Sequence, residues 1–183
     1  MNGSHVRDAR IARCEAWSSF TFFRQFVMKF RFIWSGSNAD SEFGSAVARY
    51  LNRIKHFFPI EVVEVASERG RQSQSDVAIM RAQSARLLAA IPDRGYVVVL
   101  DERGQTFDSL KFAKWIERLT IDSPHGVNFV VGGDVGFDDS VRKRADKLLA
   151  LTPMTLPHQF ARVILLEQVY RACTVMRNIS YHK

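Results

Sequence analysis

Three patches of this chain carry residue types that could hold or transform a small molecule. The run Val131-Gly132-Gly133-Asp134-Val135-Gly136 sets three glycines directly behind an apolar segment. Where a Cβ is missing a ligand can approach the backbone, which makes Gly132, Gly133 and Gly136 candidate contacts; a tight strand-to-helix turn uses the same residues. A nicotinamide dinucleotide site is the familiar use of such glycines. Its fingerprint follows a first strand and is answered by an acid about 20 residues on, whereas this run follows the fourth predicted strand, which argues against that chemistry. The second patch, Leu151-Thr152-Pro153-Met154-Thr155-Leu156-Pro157-His158, places two prolines in an otherwise apolar run. Each proline fixes its own φ and donates no hydrogen bond, so a rigid, extended, partly buried loop is predicted, ending where a helix begins at about His158. In its plainer reading the prolines only set a bend and the amides bond to neighbouring loops. The third is His158 itself, whose imidazole can act as base or proton relay near neutral pH, or simply hydrogen-bond a helix start.

These patches must be positioned by the elements between them. Strands are predicted at 29–34, 60–65, 96–100 and 128–131, from β-branched or wholly apolar runs. Helical spacing predicts helices over 41–57, 76–91 and 109–119, and one capped by Asp138 that runs through Val141, Ala145 and Leu148. Asp101-Glu102-Arg103-Gly104 reads as the turn after the third strand, and Tyr96–Leu100 as a central strand covered on both faces. Strands alternating with helices over short connections imply an α/β fold, with a mostly parallel sheet and helices on both faces. Residues 67–75 are polar and basic, a surface loop that either meets phosphates or is simply solvated. The last helix, from 158 to about 177, is apolar on most sides, more than one sheet face can cover. A second copy of the chain is its natural cover; a central helix in a monomer is the other possibility.

With 183 residues, 46% hydrophobic and 25% charged, the chain has the composition of one globular domain. A net charge of +7, with a pI of about 9.8, is spread along the chain; it permits a polyanionic partner without naming one. Cys14 and Cys173 form no CxxC pair, which points to neither a disulfide framework nor a zinc site and fits a reducing, cytoplasmic setting. Residues 1–27 read as an N-terminal extension, disordered or artefactual, with residues 28–183 as the domain. The patch Trp17, Phe20, Phe22, Phe23 and Phe26 is broken by Arg24 and Gln25 and is too short to span a membrane. A membrane-surface helix is its alternative.

Beyond the proline loop come Arg162-Val163, then Glu167-Gln168-Val169-Tyr170-Arg171-Ala172, and at the chain end Tyr181-His182-Lys183. In this order, with Met154 to Gln159, they resemble the C-terminal signature of the RlmH-type 23S rRNA (pseudouridine-N3)-methyltransferases of the SPOUT superfamily. The resemblance covers about Met28 to Lys183. It implies an enzyme using S-adenosylmethionine (SAM) on a pseudouridine in helix 69 of 23S rRNA in assembled ribosomes, and a homodimer with a C-terminal deep trefoil knot. It implies a SAM site formed by Leu100, by Gly132 within the glycine run, and by Leu151, Thr152, Pro153, Met154, Thr155 and Leu156. The family's Ile-Gly-Gly-x-x-Gly pattern keeps its glycines at 132, 133 and 136, while Asp134 falls at a variable position and reads as a surface acid. Methyl transfer needs no metal. It does need the acceptor imide to lose its proton, and His158, Arg162 and His182 are the candidates to help; Tyr181 could stack on a base, and Lys183 could meet a phosphate. A non-catalytic ribosome- or RNA-binding module of the same fold is the alternative.

Overall fold

Side chains alternate across a strand, and that alternation decides which helices cover which side of the sheet. In the computed structural model, which describes residues 28–38, 42–67 and 75–181, β1 (Phe30–Ser35) sends Phe30, Phe32 and Trp34 to one face and Ile33 to the other. The readings made for residues 1–27, for most of the basic loop after Ser67, and for His182 and Lys183 lie outside the described residues.

Among the described residues five strands pair side by side, all parallel, in the order β2-β1-β4-β3-β5. They are β1, β2 (Ile60–Val65), β3 (Tyr96–Gln105), β4 (Val127–Val131) and β5 (Lys147–Leu149). The middle strand, β4, is buried at every residue, as a strand covered on both faces must be. One face carries Phe30, Phe32, Trp34, Val98 and Phe129 and packs on α1 (Gly44–Ile54), α3 (Ser109–Asp122) and α5 (His158–Met176). The opposite face carries Ile33, Val97, Val99 and Val130 under α2 (Asp76–Ala90) and α4 (Asp139–Arg144). The α/β class and the helices on both faces are therefore as the sequence predicts.

Local chemistry sets the helix starts. Asp108 accepts from Lys111 N (2.8 Å), Ser75 from Ala78 N (3.3 Å) and Asp138 from Ser140 N (2.9 Å), each satisfying an amide with no partner inside its helix. At the other end of β1, Arg31 and Lys29 hold the Glu61 carboxylate, whose pKa they lower to about 2. Cys173 is buried against the sheet, and burial pushes its thiol up to about 12, so it packs as a small apolar residue.

Two expectations are corrected. The helix capped by Asp138 does not run to Leu148: it ends at Arg144, and β5 follows at once. Val141, Ala145 and Leu148 do have helical spacing, but β3 has an open edge. Asp146 closes it with two bonds, its carboxylate accepting from Val97 N (2.7 Å) and its own amide donating to Val97 O (2.9 Å). The strand predicted to stop at Leu100 continues to Gln105, and residues 101–104 are no simple turn. Leu149 is paired with both Leu100 and Gln105, so this stretch arches beside β5. Gly104 makes the approach possible, because a Cβ there would stand 2.6 Å from the Leu148 carbonyl carbon and the Leu149 nitrogen.

Candidate active site

In open parallel sheets ligands bind beyond the carboxyl ends of the strands, where the loops diverge. Here β3, β4 and β5 end together, and their loops and the start of α5 enclose a cleft of about 680 Å³. Its wall includes Leu100 from β3, Gly132, Gly133 and Gly136 after β4, and Leu151, Thr152, Met154, Thr155 and Leu156 after β5. Stretches separated by some 30 and 20 residues in the sequence thus share one cavity. Pro153 stands outside the wall, exposed at the bend of the loop.

The proline loop is more open than its apolar composition suggests. Leu151, Thr152 and Leu156 are half-buried, whereas Met154 is 69% exposed over the mouth of the cleft. Met154 N donates to Thr152 Oγ1 (3.2 Å), and Thr155 Oγ1 bonds the Glu102 carboxylate across the cleft. That contact ties the proline loop to the arch of β3.

Two of the glycines in the wall also leave room for the protein's own side chains. A Cβ on Gly132 would press on the Phe137 ring at 2.9 Å, and one on Gly133 would meet the Gln83 amide at 2.8 Å. Both missing side chains therefore make room for the protein's own packing. Gly136 has a positive φ of 69° and closes a turn by donating to Gly133 O (3.0 Å), while Gln83 Nε2 holds Gly136 O from α2 (3.0 Å).

Of the candidate catalytic residues His158, Arg162 and Tyr181, which are among those described, His158 is the one in the wall of the cleft. Its Nδ1 lies 2.9 Å from the Asp134 carboxylate. Burial, then the nearby Arg162 charge, lower its pKa, against a smaller upward pull from Asp134, so the imidazole is neutral at physiological pH. Arg162 lies behind the wall with 1% of its surface exposed. It donates to Ser35 O and to Asn38 Oδ1 (3.1 Å), and its guanidinium stacks over Trp34 (5.4 Å). Tyr181 is not at this cleft. Its hydroxyl donates to Glu167 Oε1 (3.3 Å), its ring meets Tyr170 edge-on (4.8 Å) and Arg171 covers it (4.8 Å). Those residues lie on the second half of α5, about 14–20 Å from His158 at a helical rise of 1.5 Å per residue.

Charged residues that sequence patterns did not single out complete the rim. Asp101 is buried, and although burial opposes ionisation, bonds from Arg103 N (2.9 Å), Arg142 Nε (2.6 Å) and Arg103 Nε (3.1 Å) hold its carboxyl below the usual range. Its signal in the sequence was only an acid directly after an apolar strand. Among the described residues there is no cluster of metal-ligating side chains, and no helix is long and apolar enough to cross a membrane.

The family model described as "Predicted SPOUT methyltransferase" matches residues 28–182. The chain belongs to the SPOUT methyltransferases. Within them it falls in the RlmH-type family. A protein of Trichlorobacter lovleyi named ribosomal RNA large subunit methyltransferase H is 40% identical over 155 residues, covering 85% of this chain and 99% of the relative. A protein of the same name from Gemmatimonas aurantiaca is 41% identical over 138 residues, 75% of this chain and 88% of the relative. Among solved structures, a probable methyltransferase from Bordetella pertussis superposes with a TM-score of 0.50 at 19% identity, over 81% of this chain and 96% of the other. That likeness supports the SPOUT fold alone.

Proposed function

We propose that this SPOUT methyltransferase transfers the methyl group of SAM to N3 of a pseudouridine in helix 69 of 23S rRNA, acting in the cytoplasm on assembled ribosomes as a homodimer. The observation that carries the reading is the single cleft lined by Leu100, Gly132 and the 151–156 loop. Relatives named as large-subunit ribosomal RNA methyltransferases, matched along nearly their whole length, support the substrate class. The cleft suits SAM. Its volume lies in the range of small-molecule sites, Leu100, Leu151 and Leu156 offer apolar walls, and the turns around Gly132 and Thr152 offer backbone groups to read a purine edge.

When bound, SAM supplies an electrophilic methyl on a sulfonium, for in-line displacement without a covalent enzyme intermediate. The chain's own residues then have three tasks. The loops hold donor and acceptor in line. Met154 stands at the mouth of the cleft, and the Glu102–Thr155 contact narrows it, so that bound substrate completes the exclusion of water. His158, neutral and in the wall, takes the N3 proton as the new N–C bond forms, so the acceptor leaves as the N3-methyl base. Arg162 acts through structure, by anchoring the start of α5 to the end of β1.

The deep trefoil knot expected of this family is part of the same reading. It is supported by Leu149, which the 101–105 arch partners on top of its pairing with Leu100. The dimer is supported by the apolar surface at the start of α5, where Phe160 packs with Phe43 (4.4 Å) yet stays 45% exposed. Since Tyr181 leaves α5 far from His158, the tail that completes a cleft would come from the second copy. The test is incubation of ribosomes lacking the modification with labelled SAM, followed by mapping of the methylated nucleotide. Label on N3 of a helix 69 pseudouridine is expected; no label, with no calorimetric signal from S-adenosylhomocysteine, would leave only a binding module.

A further inference from the structure

The glycine turn puts one charged side chain into the cleft wall, at the position where the family pattern leaves the residue open. Asp134 sits inside the turn closed by Gly136 N and Gly133 O (3.0 Å). Gln83 braces that turn from α2, and no Cβ can be added at Gly133 without displacing Gln83. A carboxylate on so fixed a corner has a defined aim. It meets His158 Nδ1 at 2.9 Å, a contact between residues 24 positions apart that joins the loop after β4 to the first residue of α5.

A neutral imidazole carries one proton on either nitrogen, and the nitrogen without it is the base. Two groups next to His158 bear on that choice. Arg162 on α5 offers only donors and a repelling charge, while Asp134 offers an acceptor. Across the cleft stand Asp101, Glu102 and Arg103 at the end of β3 and Arg142 on α4, all engaged with one another or with Thr155 and Asp139. Among the described residues, Asp134 is therefore the anion within hydrogen-bond reach of the ring. We propose that Asp134 is a positioning residue: its carboxylate accepts the Nδ1 proton of His158, fixing the ring as the Nδ1–H tautomer and leaving the Nε2 lone pair for the acceptor's proton. The carboxylate is 85% exposed, so water competes with it. One hydrogen bond of this kind biases the tautomer ratio by a factor of a few up to about ten, which is the scale of effect to seek.

This inference rests on the base role given to His158, and its test separates the two. In the full chain, with histidine ring nitrogens labelled with 15N, two-bond proton–nitrogen spectra are recorded from pH 5 to 9 for the wild type, D134N and D134A, with H158Q to assign the signal. The wild type is expected to show a protonated Nδ1 and a free Nε2. In D134A the population moves toward the Nε2–H form and the titration midpoint falls, since the anion that favoured the cation is gone. Methylation by D134A drops severalfold at its plateau and its acid limb moves to lower pH, at unchanged KM for SAM; D134E restores part of the rate. A loss of packing alone would move neither the tautomer nor the limb. Identical His158 spectra in wild type and D134A, or an Nε2–H ring in the wild type, overturn the proposal. An H158Q variant that methylates at the wild-type rate overturns the base role beneath it, whatever the spectra show.

Discussion

His158 and Arg162 lie one helical turn apart, yet their surroundings assign them different work. The His158 pKa lies below its ordinary 6.5, with burial as the main cause. The neutral, competent form is therefore complete at neutral pH and is lost only as pH falls below 6.5 and through the lowered value. A profile of methylation rate against pH should be flat from about 7 to 8, with an acid limb below 6.5; a limb above 7 would contradict the assignment. H158Q should lose on the order of a hundredfold to ten-thousandfold in rate while keeping its affinity for S-adenosylhomocysteine. Among the described residues Arg162 has no carboxylate in contact, and it instead bonds Ser35 O and Asn38 Oδ1. Replacing it by Met keeps the bulk but strands two acceptors, at a cost of about 2–4 kcal/mol, or on the order of 10 °C in Tm. R162M that melts normally but fails to methylate would show that the guanidinium touches the reaction after all. The sequence marked both residues as candidates; it could not separate them, because they share one face of α5, and which of the two meets the cleft and which is buried against β1 depends on where that helix docks.

At the level of elements, what was legible followed from how local the cause was. The apolar strands, the cap at Asp138 and the helix starting at His158 are fixed by neighbours in sequence, and they stand where patterns place them; Ser75 and Asp108 cap α2 and α3 by equally local bonds that the sequence reading did not single out. β5 was hidden because its three residues form a strand only by pairing with β3, 49 positions upstream between Val98 and Lys147. The arch at 101–105 was hidden for the same reason, and Gly104 reads in the sequence as an ordinary turn glycine. Its φ is unexceptional, so its role is spatial: a Cβ would collide with the Leu148 and Leu149 backbone at 2.6 to 2.7 Å. Backbone cannot yield as a side-chain tip can, and G104A should cost about 1–3 kcal/mol or more, seen as a lowered denaturation midpoint. G133A presses only on the tip of Gln83, and should be milder in stability while loosening the turn that carries Asp134. Equal stability of G104A and wild type would mean that the arch does not lie against β5.

For the molecule as a whole, the question is whether one chain contains a complete site. The cleft lies at the start of α5, whereas the chain end leaves from the far end of that helix, with Tyr181 packed on Glu167, Tyr170 and Arg171. If the last residues serve a cleft, it is that of a second copy, related by the twofold symmetry usual for homodimers. Deleting residues 181–183 should therefore abolish methylation of ribosomes while leaving the affinity for S-adenosylhomocysteine largely intact. The decisive measurement combines this deletion with H158Q in separately tagged, co-expressed chains. In a mixed dimer one cleft keeps His158 and can receive the intact tail of the H158Q copy, while the other has neither. Random pairing makes half of the dimers mixed, each with one working cleft of two, so the mixture should recover about one quarter of wild-type activity although each parent is inactive. If each tail served its own cleft, every site in the mixture would lack either tail or base. Activity in the purified mixed dimer no higher than in the parents would then place tail and cleft in one chain and remove the need for a second copy in catalysis.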